Sequence, residues 1–206
     1  MHDILFQDDH LLVLDKPSGL LSVPGRGPDL QDCLSARVQA AFPTALIVHR
    51  LDRDTSGLIV MALDLATQRD LNRQFAERTV TKRYLAIVAG CPNDSEGVID
   101  LPMRKDFDRP PCHMIDPIAG RPARTDWRLI ERQGDRSHLE LRPITGRSHQ
   151  IRLHLSTLGH PVLGDNLYAP PEIRAMSGRL LLHAAKLTLV HPVSGERCEW
   201  SSKCPF

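Results

Sequence analysis

The polar stretch His49-Arg50-Leu51-Asp52-Arg53-Asp54-Thr55-Ser56-Gly57 lies between two apolar runs, at residues 45–48 and 58–63. Short apolar runs bounded by polar residues are typical of buried strands. A loop held between two such strands presents its side chains at fixed positions, as a reactive group requires. The pattern therefore predicts a strand–loop–strand unit in which the carboxylate of Asp52, surrounded by arginines and a histidine, is the candidate reactive group.

The rest of the chain carries signals for three helices and several further strands. Helices are predicted at residues 29–42, at 64–76 with Asp64 as N-cap, and at 147–158 before Gly159. In the second helix, Leu65, Leu71 and Phe75 are expected to face the core. Strands are predicted within 4–23 and at 82–89, 97–101, 122–131, 136–143, 180–190 and 197–201. Because strands outnumber helices and many are adjacent, we expect an α+β fold with a mixed, largely antiparallel β-sheet flanked by helices and loops.

Composition excludes several classes of protein. The 206 residues are 41% hydrophobic and 25% charged, which is ordinary for one globular domain. No apolar run approaches the roughly 20 residues of a membrane span, and the N-terminus does not read as a secretory signal. The five cysteines are scattered and include no C-x-x-C pair, which favours a reducing cytoplasm over a disulfide framework or a zinc ribbon.

Arginine is concentrated in one part of the chain. The net charge is only +1, yet residues 121–152 hold eight arginines against four acids. The guanidinium group binds phosphates and stacks on bases, so this clustering favours RNA as a partner. The overall excess of arginine over lysine has a plainer explanation in the codon bias of the genome.

Residues 102–119 contain four prolines and no clear period. Long loops in compact domains are usually functional or disordered. We therefore predict an RNA-contacting loop or flap, with Arg104, Lys105 and Arg109 as candidate phosphate ligands; a solvated loop is the alternative.

Several blocks of sequence resemble one known family. They are His49-Arg50-Leu51-Asp52-x-x-Thr55-Ser56-Gly57, Gly146-Arg147-Ser148-His149-Gln150-Ile151-Arg152-Leu153-His154, Lys82-Arg83-Tyr84-Leu85-Ala86, Leu181-Leu182-His183-Ala184 and the opening Asp9 to Leu20. Together they resemble the RluA-type pseudouridine synthases, in the family's order and over nearly the whole chain. The resemblance implies one pseudouridine synthase catalytic domain over residues 1–206, without an N-terminal S4-like domain.

The resemblance also assigns candidate roles to residues. Asp52 would be the catalytic carboxylate, Arg152 its cationic partner, Tyr84 a ring stacked on an extruded uracil, and Leu182 an apolar contact to that ring. Three of these have alternatives, because Tyr84 and Leu182 would also suit a strand core and Arg152 a solvated surface.

Other candidates come from the residues beside these. Arg50 would enter the stack that the flipped base leaves, or would pair with Asp54. Arg147, at the start of a predicted helix where the dipole disfavours a cation, is a candidate phosphate ligand or a flexible surface arginine. His149 and Gln150 would orient RNA or satisfy buried backbone groups.

The chemistry implied needs one carboxylate and no cofactor. Pseudouridine formation breaks the bond from ribose C1′ to uracil N1 and joins C1′ to C5, without oxidation and without water in the product. Asp52 could add to uracil C6, attack C1′ or act as a base at C2′. The expected partner is RNA, as a tRNA anticodon stem–loop, a large-subunit rRNA hairpin or both, acted on by a monomer without metal, nucleotide cofactor or membrane.

Two other functions fit parts of the sequence. A non-catalytic RNA-binding protein on the same scaffold would explain the arginines, although it would not require Asp52, Tyr84 and Arg152 together. A metal hydrolase would use some of the ten histidines. His149 and His154, however, are five residues apart, whereas helical metal pairs are normally spaced i, i+4.

Overall fold

In the computed structural model, residues 3–206 are described, and their contacts divide them into two compact units. The first unit comprises residues 3–82 and His183–Pro205, and the second comprises Arg83–Leu182 with Phe206. The described part of the chain contains no helix that is long and apolar enough to cross a membrane.

The elements follow one another along the chain in this order. They are β1 Asp3–Gln7, β2 Leu11–Lys16, a 3₁₀ turn Pro28–Leu30, α1 Leu34–Gln39, β3 Leu46–Ile47, β4 Ser56–Ala62, α2 Leu65–Ala76, β5 Thr81–Ala89, β6 Glu96–Asp100, β7 Met103–Lys105, β8 His113–Ile115, β9 Arg124–Gln133, β10 Arg136–Pro143, α3 Gln150–Thr157, α4 Pro171–Ala175, β11 Leu182–Val190 and β12 Arg197–Ser201.

The central strands β2 and β4 of the first unit are buried on both faces of their sheet. The strands of this sheet follow the order β1-β2-β4-β11-β12, with β3 also paired to β4. Alternate residues of β2 and β4 point to opposite faces, so that Val13 and Val60 pack with Leu71 of α2 while Leu14 and Ile59 pack with the residues of α1. This explains why both strands are nearly continuous apolar runs.

The sheet of the second unit packs its largest core cluster against α3. Its strands follow the order β5-β10-β9-β6, and all pairs are antiparallel. Leu139 and Leu141 of β10 are fully buried against Ile151 and Leu155 of α3. The strand pairs of the two units are antiparallel apart from β4–β11, which is parallel. The prediction of an α+β fold with a mixed, largely antiparallel sheet is confirmed.

Several predicted elements needed correction. The helix predicted at 29–42 is the short 3₁₀ turn followed by α1, and α3 begins at Gln150 rather than at Arg147. The helix predicted after Asp64 is confirmed as α2, capped by the Asp64 carboxylate, which accepts a hydrogen bond from the Thr67 amide. Leu65, however, is 59% exposed and does not face the core.

Residues 102–119 are more ordered than a plain loop. Strands β7 and β8 pair antiparallel from Met103 opposite Ile115 to Lys105 opposite His113. The two strands have only three residues each, and the prolines that surround them hide the period-2 pattern. We call residues 102–119 the hairpin.

Candidate active site

The Asp52 loop, residues 48–55 between β3 and β4, is held through its backbone. Lys16 is fully buried, and its Nζ donates hydrogen bonds to the carbonyls of Arg53, Leu20 and Pro17 at 2.9, 2.8 and 2.9 Å. The Ser22 hydroxyl donates to the Leu51 carbonyl at 2.8 Å and accepts from the Leu51 amide at 3.1 Å. The residues on either side of the Asp52 side chain are thus fixed.

Residues 18 and 19, which follow β2, also bind the backbone of the loop. The Ser18 hydroxyl donates to the Asp54 carbonyl at 2.7 Å, and the Gly19 amide donates to the Arg53 carbonyl at 2.9 Å. Within the loop, the Thr55 amide donates to the Asp52 carbonyl at 3.2 Å. The carbonyls of residues 51–54 therefore all accept hydrogen bonds, and the half-buried Asp52 carboxylate projects from a rigid backbone.

The neutral imidazole of His49 fixes the beginning of the Asp52 loop. Its Nε2 accepts a hydrogen bond from the Val60 amide at 3.0 Å, and its ring stacks on Phe75 with centroids 4.6 Å apart. Burial, and then the positive charge of Lys82, lower the pKa of His49 to about 3. Because Nε2 is the acceptor, the single proton of the neutral ring resides on Nδ1.

The end of the loop is fixed where β4 meets β11. The Ser56 hydroxyl and His183 Nδ1 lie 2.9 Å apart, and both side chains are buried. Gly57 has φ +111°, and a Cβ there would lie 2.4 Å from the Ala184 carbonyl oxygen. Only glycine fits this close approach of two parallel strands.

The other charged residues of the loop face solvent. Arg53 is exposed and its Nε donates to Asp54 Oδ1 at 3.0 Å. Arg50 is exposed as well. Asp54 thus forms an ion pair with Arg53, and a pairing of Arg50 with Asp54 stays a prediction.

In the second unit, Arg152 is buried in a two-point ion pair. Its Nε donates to Asp165 Oδ2 at 2.8 Å and its Nη2 donates to Asp165 Oδ1 at 2.7 Å, and the two side chains are 3% and 0% exposed. Nη2 also donates to Asn166 Oδ1 at 3.1 Å. Arg152 is therefore no solvated surface arginine. Its interaction with Asp52, implied by the family resemblance, stays a prediction.

The start of α3 differs from the sequence-based expectation. His149 is the N-cap residue and adopts a left-handed conformation with φ 57°. Arg147 lies before the helix, where its amide donates to Gln150 Oε1 at 3.0 Å and its Nε donates to the Pro122 carbonyl at 3.2 Å. The helix-dipole argument for Arg147 was therefore wrong, because the residue is not in the first turn.

Gln150 satisfies buried polar groups. Its Nε2 donates to the Arg124 carbonyl at 2.9 Å and to the Thr125 hydroxyl at 3.0 Å. Its Oε1 accepts from the Thr145 hydroxyl at 2.6 Å as well as from Arg147. Of the two roles that the sequence left open for Gln150, this geometry matches the structural one.

Tyr84 and Leu182 both belong to the apolar part of the second unit. Tyr84 is half-buried on β5 opposite Leu141, against the core cluster to which Leu182 belongs. Leu182 is 3% exposed. Their contacts to a uracil ring, which the family resemblance implies, stay predictions.

The basic residues of the hairpin are largely neutralised by its own acids. Arg104 pairs with Asp116, and Arg109 pairs with Asp106 at 2.9 Å. Hydrogen bonds from the Ala119 amide, from Arg104 and from the Ile118 amide lower the pKa of Asp116 to about 2. Lys105 is exposed. Phe107, on the loop that joins β7 to β8, is 78% exposed.

The arrangement of histidines gives no support to a metal hydrolase. Among residues 3–206, no three His, Cys, Asp or Glu side chains are grouped as metal ligands would be. His154 is fully buried; its Nδ1 bonds to the Thr125 hydroxyl at 3.0 Å and its Nε2 to the Leu101 carbonyl at 3.1 Å. Both ring nitrogens of His154 are therefore already used within the fold.

Sequence reasoning missed the groups that hold the site. Lys16, Ser22, Asp165 and Tyr168 were present in the matched blocks or near them, but no role was predicted for them. A lysine at the end of the apolar strand β2 was the one available signal, because a buried ammonium group requires several acceptors.

Comparison with known proteins agrees with this geometry. The family model for RNA pseudouridylate synthase matches residues 10–157. The dual-specificity RNA pseudouridine synthase RluA of Escherichia coli (strain K12) is 48% identical over 204 residues, 98% of this chain and 93% of that protein. The protein of the same name from Haemophilus influenzae is 46% identical over 205 residues, 99% of this chain and 94% of that protein.

A solved structure supports the same assignment. Human RNA pseudouridylate synthase domain containing 1 aligns with a TM-score of 0.84 at 32% identity, and covers 100% of this chain and 84% of its own. Since a family model spans most of the chain and these relatives match nearly all of it, the chain belongs to the RNA pseudouridylate synthase family and is of the RluA type.

Proposed function

We propose that this pseudouridine synthase isomerises specific uridines in a tRNA anticodon stem–loop, in a large-subunit rRNA hairpin, or in both. The relatives that are 46–48% identical are named as dual-specificity enzymes, which supports two RNA substrates rather than one. In this proposal residues 1–206 are one catalytic domain that acts as a monomer in the cytoplasm, without metal or other cofactor.

In this proposal the Asp52 carboxylate starts the reaction. The observation that carries it is the clamping of residues 51–54, whose carbonyls accept bonds from Lys16, Ser18, Gly19, Ser22 and Thr55. A group that attacks or deprotonates a nucleotide gains most from such a fixed position. The other carboxylate of the loop, Asp54, forms an ion pair with Arg53 and takes a structural role in this proposal.

The remaining roles follow from the family resemblance. The uridine is extruded from the RNA, its base stacks on Tyr84 and contacts Leu182, and Arg50 occupies the space that the base leaves. Arg152, which is buried and held by Asp165, takes the role of cationic partner of the catalytic carboxylate that the resemblance implies. Arg147, His149 and the hairpin residues Arg104, Lys105 and Arg109 contact the RNA around the target, whereas Gln150 supports them from within the fold.

The proposal is tested with two unmodified transcripts, a tRNA anticodon stem–loop and a large-subunit rRNA hairpin, incubated with the purified protein in EDTA. Carbodiimide adducts mapped by primer extension locate any pseudouridine. We expect new stops on both RNAs for the native chain and for Asp54→Asn, and none for Asp52→Asn.

The outcomes separate the alternatives. Stops on one RNA alone would contradict dual specificity. Loss of activity in Asp54→Asn with activity kept in Asp52→Asn would overturn the assignment of the carboxylate. RNA binding without stops, on these transcripts and on total unmodified RNA, would favour a non-catalytic RNA-binding protein.

A further inference from the structure

Tyr168 joins segments of the second unit that are distant in sequence. Its hydroxyl accepts a hydrogen bond from the backbone amide of His113, in β8 of the hairpin, at 2.8 Å. The same hydroxyl lies 2.8 Å from Nδ1 of His149, the N-cap residue of α3. Burial raises the pKa of Tyr168 well above its usual range, so the hydroxyl keeps its proton.

The ring of Tyr168 supports Arg152 from a second side. The guanidinium carbon of Arg152 lies 5.5 Å from the ring centroid, a distance at which cation–π attraction operates. Asp165 Oδ1, which accepts from Arg152, also accepts from the amides of Leu167 and Tyr168 at 2.8 and 3.1 Å. One carboxylate therefore fixes both the guanidinium and the turn that carries the aromatic ring.

Packing alone does not explain a tyrosine at this position. A phenylalanine would fill the same volume, and a hydroxyl loses hydration on burial unless it finds partners. Here both partners come from other segments, 55 and 19 residues away in sequence. One of them, His149, has φ 57°, a conformation that side-chain-bearing residues seldom adopt without outside support.

From these contacts we propose that Tyr168 is a positioning residue that couples the hairpin to Arg152. Its hydroxyl sets where the hairpin stands relative to α3, and its ring sets the plane of the Arg152 guanidinium. The hydroxyl therefore affects RNA binding through the position of the hairpin. The ring affects the rate of the chemical step through the orientation of Arg152. This inference rests on the proposed function, in which the hairpin contacts RNA and Arg152 supports Asp52.

Two substitutions separate the hydroxyl from the ring. Tyr168→Phe removes the hydroxyl and keeps the ring, whereas Tyr168→Leu removes both. Ser156→Ala is the matched control, because the Ser156 hydroxyl donates its hydrogen bond to the backbone carbonyl of Tyr168, at 2.9 Å, and not to the Tyr168 side chain.

The first readout is hydrogen exchange of the His113 amide by NMR, which needs no activity. In Tyr168→Phe this amide loses its acceptor, and we expect its exchange to accelerate about five-fold or more, the factor expected for one lost hydrogen bond. The amide of Leu155, deep in α3, is expected to keep its rate. Ser156→Ala is expected to leave the His113 amide unchanged.

The second readout is a comparison of KM and kcat, measured on the transcript in which the native chain forms pseudouridine. We expect Tyr168→Phe to raise KM about five-fold with kcat changed less than two-fold, and Tyr168→Leu to lower kcat about ten-fold in addition. Unchanged His113 exchange in Tyr168→Phe, or a KM equal to that of Ser156→Ala, would overturn the coupling. If the native chain formed no pseudouridine, the proposed function would fail, while the exchange rates would still decide whether Tyr168 holds the hairpin.

Discussion

The buried pair between Arg152 and Asp165 makes a quantitative prediction about stability. Asp165→Asn keeps the shape of the side chain and an oxygen for the Leu167 and Tyr168 amides, but places an NH₂ group against Arg152 Nε. The guanidinium then loses the charge of Asp165 at a site where the two side chains are 3% and 0% exposed. Breaking one partner of a buried pair costs about 3–5 kcal/mol, a large part of a typical free energy of unfolding.

An exposed pair of the same geometry provides the control. Arg37 Nε and Nη2 donate to the two oxygens of Asp32 at 2.7 and 2.6 Å, but these side chains are 41% and 65% exposed. Water and salt screen such a pair, so Asp32→Asn is expected to leave the free energy of unfolding nearly unchanged. The two substitutions make the same chemical change, one at a buried ion pair and the other at an exposed ion pair.

In the assay, the protein is unfolded with urea and the unfolding is monitored by tryptophan fluorescence. The chain has two tryptophans, Trp127 in the second unit and Trp200 in the first, so a Trp200→Phe background reports on the unit that contains the buried pair. With a slope of about 2 kcal/mol per molar urea, a loss of ~4 kcal/mol lowers the midpoint by about 2 M. Equal midpoints for Asp165→Asn and Asp32→Asn would refute the reasoning.

Two further predictions concern the loop and the hairpin. Because the pKa of His49 is lowered from 6.5 to about 3, the folded state prefers the neutral ring, and this stabilisation is present above pH ~6.5 and is lost as the pH falls towards 3. His49→Gln keeps an acceptor for the Val60 amide but does not titrate. The drop in free energy of unfolding between pH 7 and pH 5, measured by urea titration, should therefore be about 2 kcal/mol smaller in this variant. An equal drop in both proteins would contradict this prediction. Phe107 is 78% exposed on the hairpin, and Phe107→Ala should weaken RNA binding about ten-fold in a filter assay without lowering Tm if this ring stacks on a base, whereas unchanged affinity would exclude that contact.

Local sequence signals predicted the elements that depend on local interactions. Helix α2 was predicted from an Asp64 cap and apolar spacing, and both the cap and the end at Ala76 are present. Leu65 was placed wrongly because it lies six residues before Leu71, a spacing that puts it about 120° around the helix from Leu71 and outside the stripe formed by Leu71 and Phe75. The start of α3 was missed because it depends on the bonds of Gln150 to residues about 25 positions earlier.

The sequence predicted where the candidate site lies, but it did not predict which residues hold the site in place. The apolar runs around Asp52 located the loop correctly between β3 and β4. The groups that hold the loop are Lys16, at the end of β2, and Ser22, which lies after β2. They bind residues 37 and 29 positions later in the chain, and no spacing rule connects the two segments. The partner of Arg152 was equally hidden, because Asp165 lies in a turn beyond the end of α3.

The internal pairing of the hairpin arginines affects how RNA binding should respond to salt. A cation that meets a phosphate normally displaces a condensed counterion, and each such contact steepens the fall of affinity with ionic strength. Arg104 and Arg109 already carry the carboxylates of Asp116 and Asp106 as built-in counterions. A phosphate must displace these carboxylates first, so the exchange releases less free salt into solution. The hairpin would then contribute shape to recognition with a shallower salt dependence than its arginine and lysine content alone suggests.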